Sequence, residues 1–232
     1  MNSKQTALII GNSSGIGLAI TKRLLSSSYK VHGISKSPSP IVSSNYQHLL
    51  MDVTDPDFES ALSRQVNTLE KIDVCIYCAG IGDIIDFNKL SYESSVFKVN
   101  LMSAVIATNV LVTKMKAYGS GHFIGLSSIA DRLTSSETPS YCASKAGVSR
   151  YWESLGLALK KHNIHISNVR FGFVDTKMAK APTKPMMIDV ETAAKFIEEI
   201  IAKPRIRATK PLLMDALLSL LAFIERLRFI GR

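Results

Sequence analysis

The chain has 232 residues, 46% hydrophobic and 20% charged, with no low-complexity tract, which suits one packed core and excludes a disordered chain. Three cysteines, Cys75, Cys78 and Cys142, are too few and too oddly spaced for a disulfide framework and point to a reducing, cytoplasmic compartment. The net charge is +9, and residues 203–232 hold +5 of it, seven Lys/Arg against Asp215 and Glu225; such an excess suits a phosphate-bearing cofactor, an anionic membrane surface or nucleic acid equally.

In chain order, the polar residues 1–6 lead into a short apolar run, Ala7–Ile10, too brief for a leader or a membrane span, so the fold is expected to start at once. That run is the first of six β-rich segments, followed by Val31–Ser35, His48–Met51, Val74–Tyr77, His122–Leu126 and His165–Val169. None alternates cleanly, as expected of strands buried on both faces. Helical periodicity covers Ile16–Ser27, Asp57–Leu69, Tyr92–Ala117, Tyr141–His162 and Glu191–Ala202, with a last helix from Leu212 to about Phe229. Ser35–Ser44, with Pro38, Pro40 and five serines, reads as a loop. The alternation predicts an α/β fold: a Rossmann-type doubly wound parallel sheet of six strands in three α/β/α layers. We expect a single domain over 1–232, with its core in 1–202 and an atypical basic, apolar helix in 203–232.

Directly after the first strand stands Gly11-Asn12-Ser13-Ser14-Gly15-Ile16-Gly17, followed by a helix. Glycines there let the backbone turn tightly and approach a pyrophosphate, while the helix N-terminus offers N–H groups and partial positive charge. An ordinary glycine-rich turn is the structural alternative. Cys75 and Cys78 spell C-x-x-C, but a strand points positions three apart to opposite faces, so no metal or redox pair is expected.

Of seven tyrosines only Tyr141 has a lysine, Lys145, four residues later, and the pair opens a helix, so both lie on one face. A neighbouring ammonium favours the phenolate and is expected to move the tyrosine's pKa towards neutrality. Ser128 follows the fifth strand, where its hydroxyl could meet a substrate carbonyl at the carboxyl end of the sheet.

Together, Gly11-x-x-x-Gly15-x-Gly17, Cys78-Ala79-Gly80, Asn100, Ser127-Ser128 and Tyr141-Cys142-Ala143-Ser144-Lys145 resemble the short-chain dehydrogenase/reductase family in content, order and spacing, over about residues 6–202. The resemblance implies an NAD(P)-dependent oxidoreductase acting on a carbonyl or alcohol. In it Tyr141 is general acid/base, Lys145 lowers the tyrosine's pKa and holds the nicotinamide ribose, Ser128 orients the carbonyl and Asn100 supports a proton-relay water. It further implies cofactor contacts from Gly11, Ser13, Ser14, Gly15, Ile16 and Gly17, from Asp52 and Val53 at the adenine, from Ala79 and Gly80, and from Val174 and Thr176 at the carboxamide. Three residues depart from the family pattern: Ile10 for a threonine, Tyr77-Cys78 for two asparagines and Phe171 for a proline. The second strand ends Ile34-Ser35-Lys36-Ser37, with no carboxylate for a ribose 2′-hydroxyl and a lysine for a 2′-phosphate, so NADP(H) is expected over NAD(H). A loop-solvating lysine is the alternative.

Other classes rank lower. Gly125-Leu126-Ser127-Ser128 lacks the closing glycine of a nucleophile elbow, the five histidines show no metal spacing, and no nucleic-acid motif accompanies the basic excess. A catalytically weak cofactor-sensing or scaffold protein on the same fold is the second functional hypothesis. Residues 134–138 and 178–187 are expected to line the substrate, the latter as a lid. The last helix confines its polar positions to one narrow stripe of Asp215, Ser219 and Arg226, so its apolar circumference needs a cover. Packing on its own domain or in a homodimer or homotetramer comes first, and peripheral membrane contact helped by Lys203, Arg205, Arg207, Lys210, Arg226 and Arg228 second.

Overall fold

The computed structural model describes residues 4–180 and 183–230, with side chains as far as Ile224; Ala181 and Pro182 and the side chains of Arg226 and Arg228, which figured in the expectations above, lie outside it. Seven strands, β1 (Thr6–Ile10), β2 (Lys30–Ser35), β3 (Tyr46–Leu50), β4 (Val74–Tyr77), β5 (Gly121–Ser128), β6 (Ile164–Phe171) and β7 (Arg207–Lys210), form one parallel sheet in the order β3-β2-β1-β4-β5-β6-β7. The reversal of strand order beside β1 is the switch point of a doubly wound sheet.

Both faces are covered. Leu8, Ile10, Cys75 and Tyr77 point towards α2 (Phe58–Asn67), α4 (Ser103–Tyr118) and α5 (Pro139–Leu159). Ala7, Ile9, Val74 and Ile76 point towards α1 (Gly15–Ser26) and α6 (Val190–Ala202). Cys75 and Cys78 therefore join opposite faces of the sheet, and burial pushes the Cys78 thiol up to about 12.

The seventh strand corrects the expected count of six, and it lies inside the stretch set apart as a tail. Its sequence Arg-Ala-Thr-Lys buries only Ala208 and Thr209 and ends in charges, so no apolar run announces it. It pairs with β6 from Asn168↔Arg207 to Phe171↔Lys210. The helix expected over Tyr92–Ala117 is broken: α3 (Ser91–Phe97) passes through a π turn, Lys98–Met102, into α4. By length and composition Ser91–Tyr118 could cross a membrane, but half of its most apolar window is buried inside this fold.

The last helix, α7 (Leu212–Ile230), turns Asp215 and Ser219, the described part of its polar stripe, inward. Asp215 accepts from Arg132 Nε at 2.8 Å and from Arg170 at 3.0 Å, and Arg170 is 1% exposed. Arg170 also holds Asp131 through Nε at 2.7 Å. Leu213, Leu217, Leu220, Leu221 and Phe223 face outward, each about half exposed or more.

His122 on β5 is buried, shares a 2.8 Å hydrogen bond with Ser167 and packs edge-on to His165. Burial, with His165 adding to it, lowers its pKa to about 3. The unfolded chain protonates this imidazole near pH 6.5 and the folded one resists, so its neutral form stabilises the fold above that pH and the advantage is lost as pH falls. From His122 alone we expect a loss of about 2 kcal/mol between neutrality and pH 5. Denaturant melts across pH 5–7.5 should show a shallower acid slope for His122→Gln than for the parent; equal slopes would refute the assignment.

Candidate functional site

Because all strands run the same way, their carboxyl ends share one edge, and there a cleft of about 1130 Å³ runs from Lys36 to Leu218. One half begins at the turn after β1. Gly11 has φ +89°, and a side chain on it would run into the Ala79 backbone; a Cβ on Gly17 would stand 2.1 Å from the Gly11 carbonyl oxygen. The turn thus brings backbone against backbone where only glycine fits, and α1 starts at it with Ser14 making no side-chain cap and no acidic residue in its first turn. Its leading N–H groups are left for an anion.

Beneath that turn the buried Asn12 donates to the Tyr46 hydroxyl at 2.6 Å, and Tyr46 meets His48 Nδ1 at 2.9 Å. His48 Nε2 lies 3.2 Å from the Ser37 carbonyl oxygen. The glycine turn and the Ser35–Ser37 segment after β2, which presents Lys36 to the cleft, are therefore braced by one chain of contacts. Asp52 and Val53 follow β3; Thr54 donates to Asp52 Oδ1 through its backbone N–H at 2.9 Å and its hydroxyl at 2.8 Å. Those bonds, with Lys36 nearby, hold the Asp52 carboxyl below its ordinary range.

The second half gathers the candidate catalytic residues. Ser128 is the last residue of β5 rather than just beyond it; its hydroxyl donates to the Phe171 carbonyl at 3.3 Å and accepts from Ala130 N–H at 3.2 Å. Tyr141 stands in the first turn of α5, with Lys145 one turn on, its Nζ 5.8 Å from the ring centroid. Lys145 is buried and donates to the Leu126 carbonyl at 3.0 Å. Desolvation brings its pKa down to about 8. Tyr141 goes the other way: burial raises its pKa, and the Ser128 hydroxyl opposes this only in part. That corrects the expected lowering, because burial of the phenol outweighs the ammonium, which stands 5.8 Å from the ring centroid.

Asn100 lies in the π turn, and its amide donates to the Ile81 carbonyl at 2.8 Å while its oxygen accepts from Ile81 N–H at 2.9 Å. The same amide reaches Ser144 at 3.2 Å, so its side chain binds the β4 turn to α5. Tyr77 explains the π turn. Its buried hydroxyl donates to the Val99 carbonyl at 2.8 Å and meets Ser103 at 2.7 Å, flanking Asn100 on both sides. Gly80 faces Asn100 and Lys145, and Thr176 packs on Gly15. Val174 forms a bridge with Ile188 that closes the base of residues 178–187.

Every residue expected at the site therefore lines this cleft except Asn100, which supports it from behind. Among the expected substrate-lining residues, Ser135, Glu137, Thr138, Met178, Ala179, Lys180, Thr183 and Pro185 reach the cleft. Sequence reasoning missed Tyr77, Met214 and Leu218. The phenol of Tyr77 was visible only as a departure from a pattern, and nothing local marked which side of α7 would turn inward.

Residues 5–186 match the short chain dehydrogenase family model. An uncharacterized oxidoreductase of Staphylococcus haemolyticus is 28% identical over 187 residues, 76% of this chain and 80% of that protein. The 3-oxoacyl-[acyl-carrier-protein] reductase of Salmonella typhimurium is 27% identical over 184 residues, 75% of each. A short chain dehydrogenase from Burkholderia cenocepacia, solved in complex with NADP, superposes with a TM-score of 0.85 at 19% identity, covering 99% of this chain and 97% of its own.

The crowding at Gly17 supplies a test. Gly17→Ala must push the Gly11 backbone aside, a strain of about 1–3 kcal/mol, and should weaken dinucleotide binding ~10-fold or more while the protein stays folded. Fluorescence titration with NADPH measures this; affinity within twofold of the parent would rule the turn out as the pyrophosphate cradle.

Proposed function

The chain belongs to the short-chain dehydrogenase family, and on that premise we propose an oxidoreductase that moves a hydride between NADP(H) and a carbonyl or alcohol substrate, with Tyr141 transferring the proton. The observation that carries this is the convergence of Ser128, Tyr141 and Lys145 on the same cleft as the glycine turn.

The residues fit such a cofactor. The glycine cradle and the N-terminus of α1 would hold the pyrophosphate, with Ser13, Ser14 and Ile16 around it. Asp52 and Val53 would border the adenine, Ala79 and Gly80 the central cleft, Lys145 the ribose, and Val174 and Thr176 the carboxamide. Lys36 would pair with a 2′-phosphate. When bound, the nicotinamide supplies the hydride for reduction.

For its part, the chain manages the proton. A phenol whose pKa is raised stays protonated at neutral pH, so Tyr141 is set to give a proton to a carbonyl oxygen. The Ser128 hydroxyl orients that oxygen. Lys145, still mostly charged at pH 7 with a pKa of about 8, favours the phenolate as it forms. Asn100 is a positioning residue, since both ends of its amide hold the Ile81 peptide. The 3-oxoacyl group in the name of the Salmonella relative is a carbonyl of the proposed class.

We also infer that a second copy of the chain covers the outer face of α7, as a homodimer or homotetramer in the cytoplasm, in preference to a membrane. A membrane-bound helix needs cations beside its apolar face. Among the described cations, Arg207 pairs with Glu153 and Lys210 lies over the Phe196 ring, 5.1 Å from its centroid, while the exposed Lys203 and Arg205 precede β7, at the opposite edge of the sheet from the start of α7.

Tyr141→Phe keeps the ring and removes the acid, so NADPH-dependent carbonyl reduction should fall by ~100-fold or more with cofactor affinity retained. Near-normal turnover would end the mechanism. Lys36→Ala should weaken NADPH about tenfold, a modest value for an exposed lysine, and leave NADH little changed. Parallel titrations decide it: equal losses, or a parent that prefers NADH, would contradict the cofactor assignment.

A further inference from the structure

We infer that α7 is the outer wall of the substrate half of the cleft and makes the site selective for an uncharged carbonyl compound with an extended apolar body; this rests on the oxidoreductase reading above.

Beyond Ser128 and Tyr141 the cleft is lined by Ile129, Leu133, Phe173, Met178, Met214 and Leu218. Apart from the buried Lys145, whose ammonium donates to the Leu126 carbonyl, the charged residues lining that half among the described ones, Asp83, Glu137, Asp175, Lys177 and Lys180, stand partly or fully in solvent at the rim. Asp83 and Lys180 neutralise each other in an ion pair across the mouth. Nothing else described there offers a buried charge to a carboxylate, phosphate or ammonium on a substrate, and leaving such a group unpaired in an apolar pocket is costly. A hydrocarbon body loses nothing there and gains from leaving water.

The placement of α7 is fixed by charge. Met214 and Leu218 are one helical turn apart, as are Asp215 and Ser219 beside them. The Asp215 carboxylate is held by Arg132 and the buried Arg170, and this sets the rotation of the helix. With Asp215 turned inward, Met214 comes over Gly172 at the end of β6 and Leu218 extends the same wall outward, while Leu217 and Leu221 are left facing away. A helix held only by apolar contact could slide or roll; this one is keyed at a single register.

The test is NADPH-dependent reduction of propanal, hexanal and decanal by the full chain, with acetoacetyl-CoA as a charged carbonyl for comparison. Each buried methylene is worth on the order of fourfold in kcat/KM, so decanal should exceed propanal by at least tenfold. Leu218→Asp should reduce the decanal-to-propanal ratio at least tenfold, and Leu218→Met should restore most of it. NADPH titration of each variant confirms that the protein is folded and the cofactor half intact. A flat dependence on chain length, or a Leu218→Asp variant that loses propanal and decanal equally, overturns the inference and leaves the oxidoreductase reading standing. So does reduction of acetoacetyl-CoA with no aldehyde reduced. If NADPH binds and no carbonyl is reduced at all, the oxidoreductase reading itself fails and takes the inference with it.

Discussion

Burial of the sheet on both faces is the constraint from which the rest follows. Every residue of β4, and all but the first of β1, is buried, so no functional group has room along the strands. Polar chemistry is confined to the places where the chain leaves the sheet, and parallel strands put all of those departures that follow a strand at one edge. Gly11 after β1, Lys36 after β2, Asp52 after β3, Ala79 after β4, Ser128 ending β5 and Val174 after β6 come from distant parts of the sequence and still line one cleft. The cleft is thus a consequence of topology before it is a consequence of any one side chain.

Within it, desolvation works on two groups in opposite directions. The ammonium of Lys145 is made easier to deprotonate and the phenol of Tyr141 harder, because in each case burial disfavours the charged form. The two shifts push the pKa values of the pair apart, so at neutral pH the phenol holds its proton while the neighbouring ammonium lies close to its own titration. The carbonyl of Leu126 keeps Lys145 from collapsing onto Tyr141, and the Tyr77 hydroxyl keeps Asn100 in its π turn. Two residues outside the proposed catalytic set therefore hold the geometry of two inside it.

The sequence made the sheet, its switch point and most of the cleft legible, because each rests on a local signal. Runs of four or five β-rich residues marked the strands, the glycine spacing marked the turn after β1, and Tyr141 and Lys145 were related by one turn of helix. What escaped it depended on contacts between distant segments. β7 is a strand only because β6 is beside it; on its own Arg-Ala-Thr-Lys has no apolar period. The π turn needs the Tyr77 hydroxyl, more than twenty residues upstream, to compete for the Val99 carbonyl. The Tyr141 shift came out opposite to expectation because a four-residue spacing shows the neighbouring ammonium and not the burial of the phenol. Spacing tells which groups are neighbours and leaves open which partner each one chooses.

The last helix shows how far such a choice can reach. Read alone, α7 is an apolar rod with a thin polar stripe, and the hydrophobic effect would turn the stripe to solvent. The fold does the reverse because Arg170, 1% exposed at the end of β6, cannot be left unpaired; a buried guanidinium without its carboxylates costs several kcal/mol. Asp131 supplies one carboxylate from the segment after β5 and Asp215 supplies another from α7. Satisfying one cation thus brings Asp215 and Ser219 inward, carries Met214 and Leu218 to the cleft and leaves a ladder of leucines facing out. The inner edge of the helix and its outer face are in this way two results of the same ion pairing, so that the wall of the site and the surface that needs a cover cannot be altered independently of Arg170.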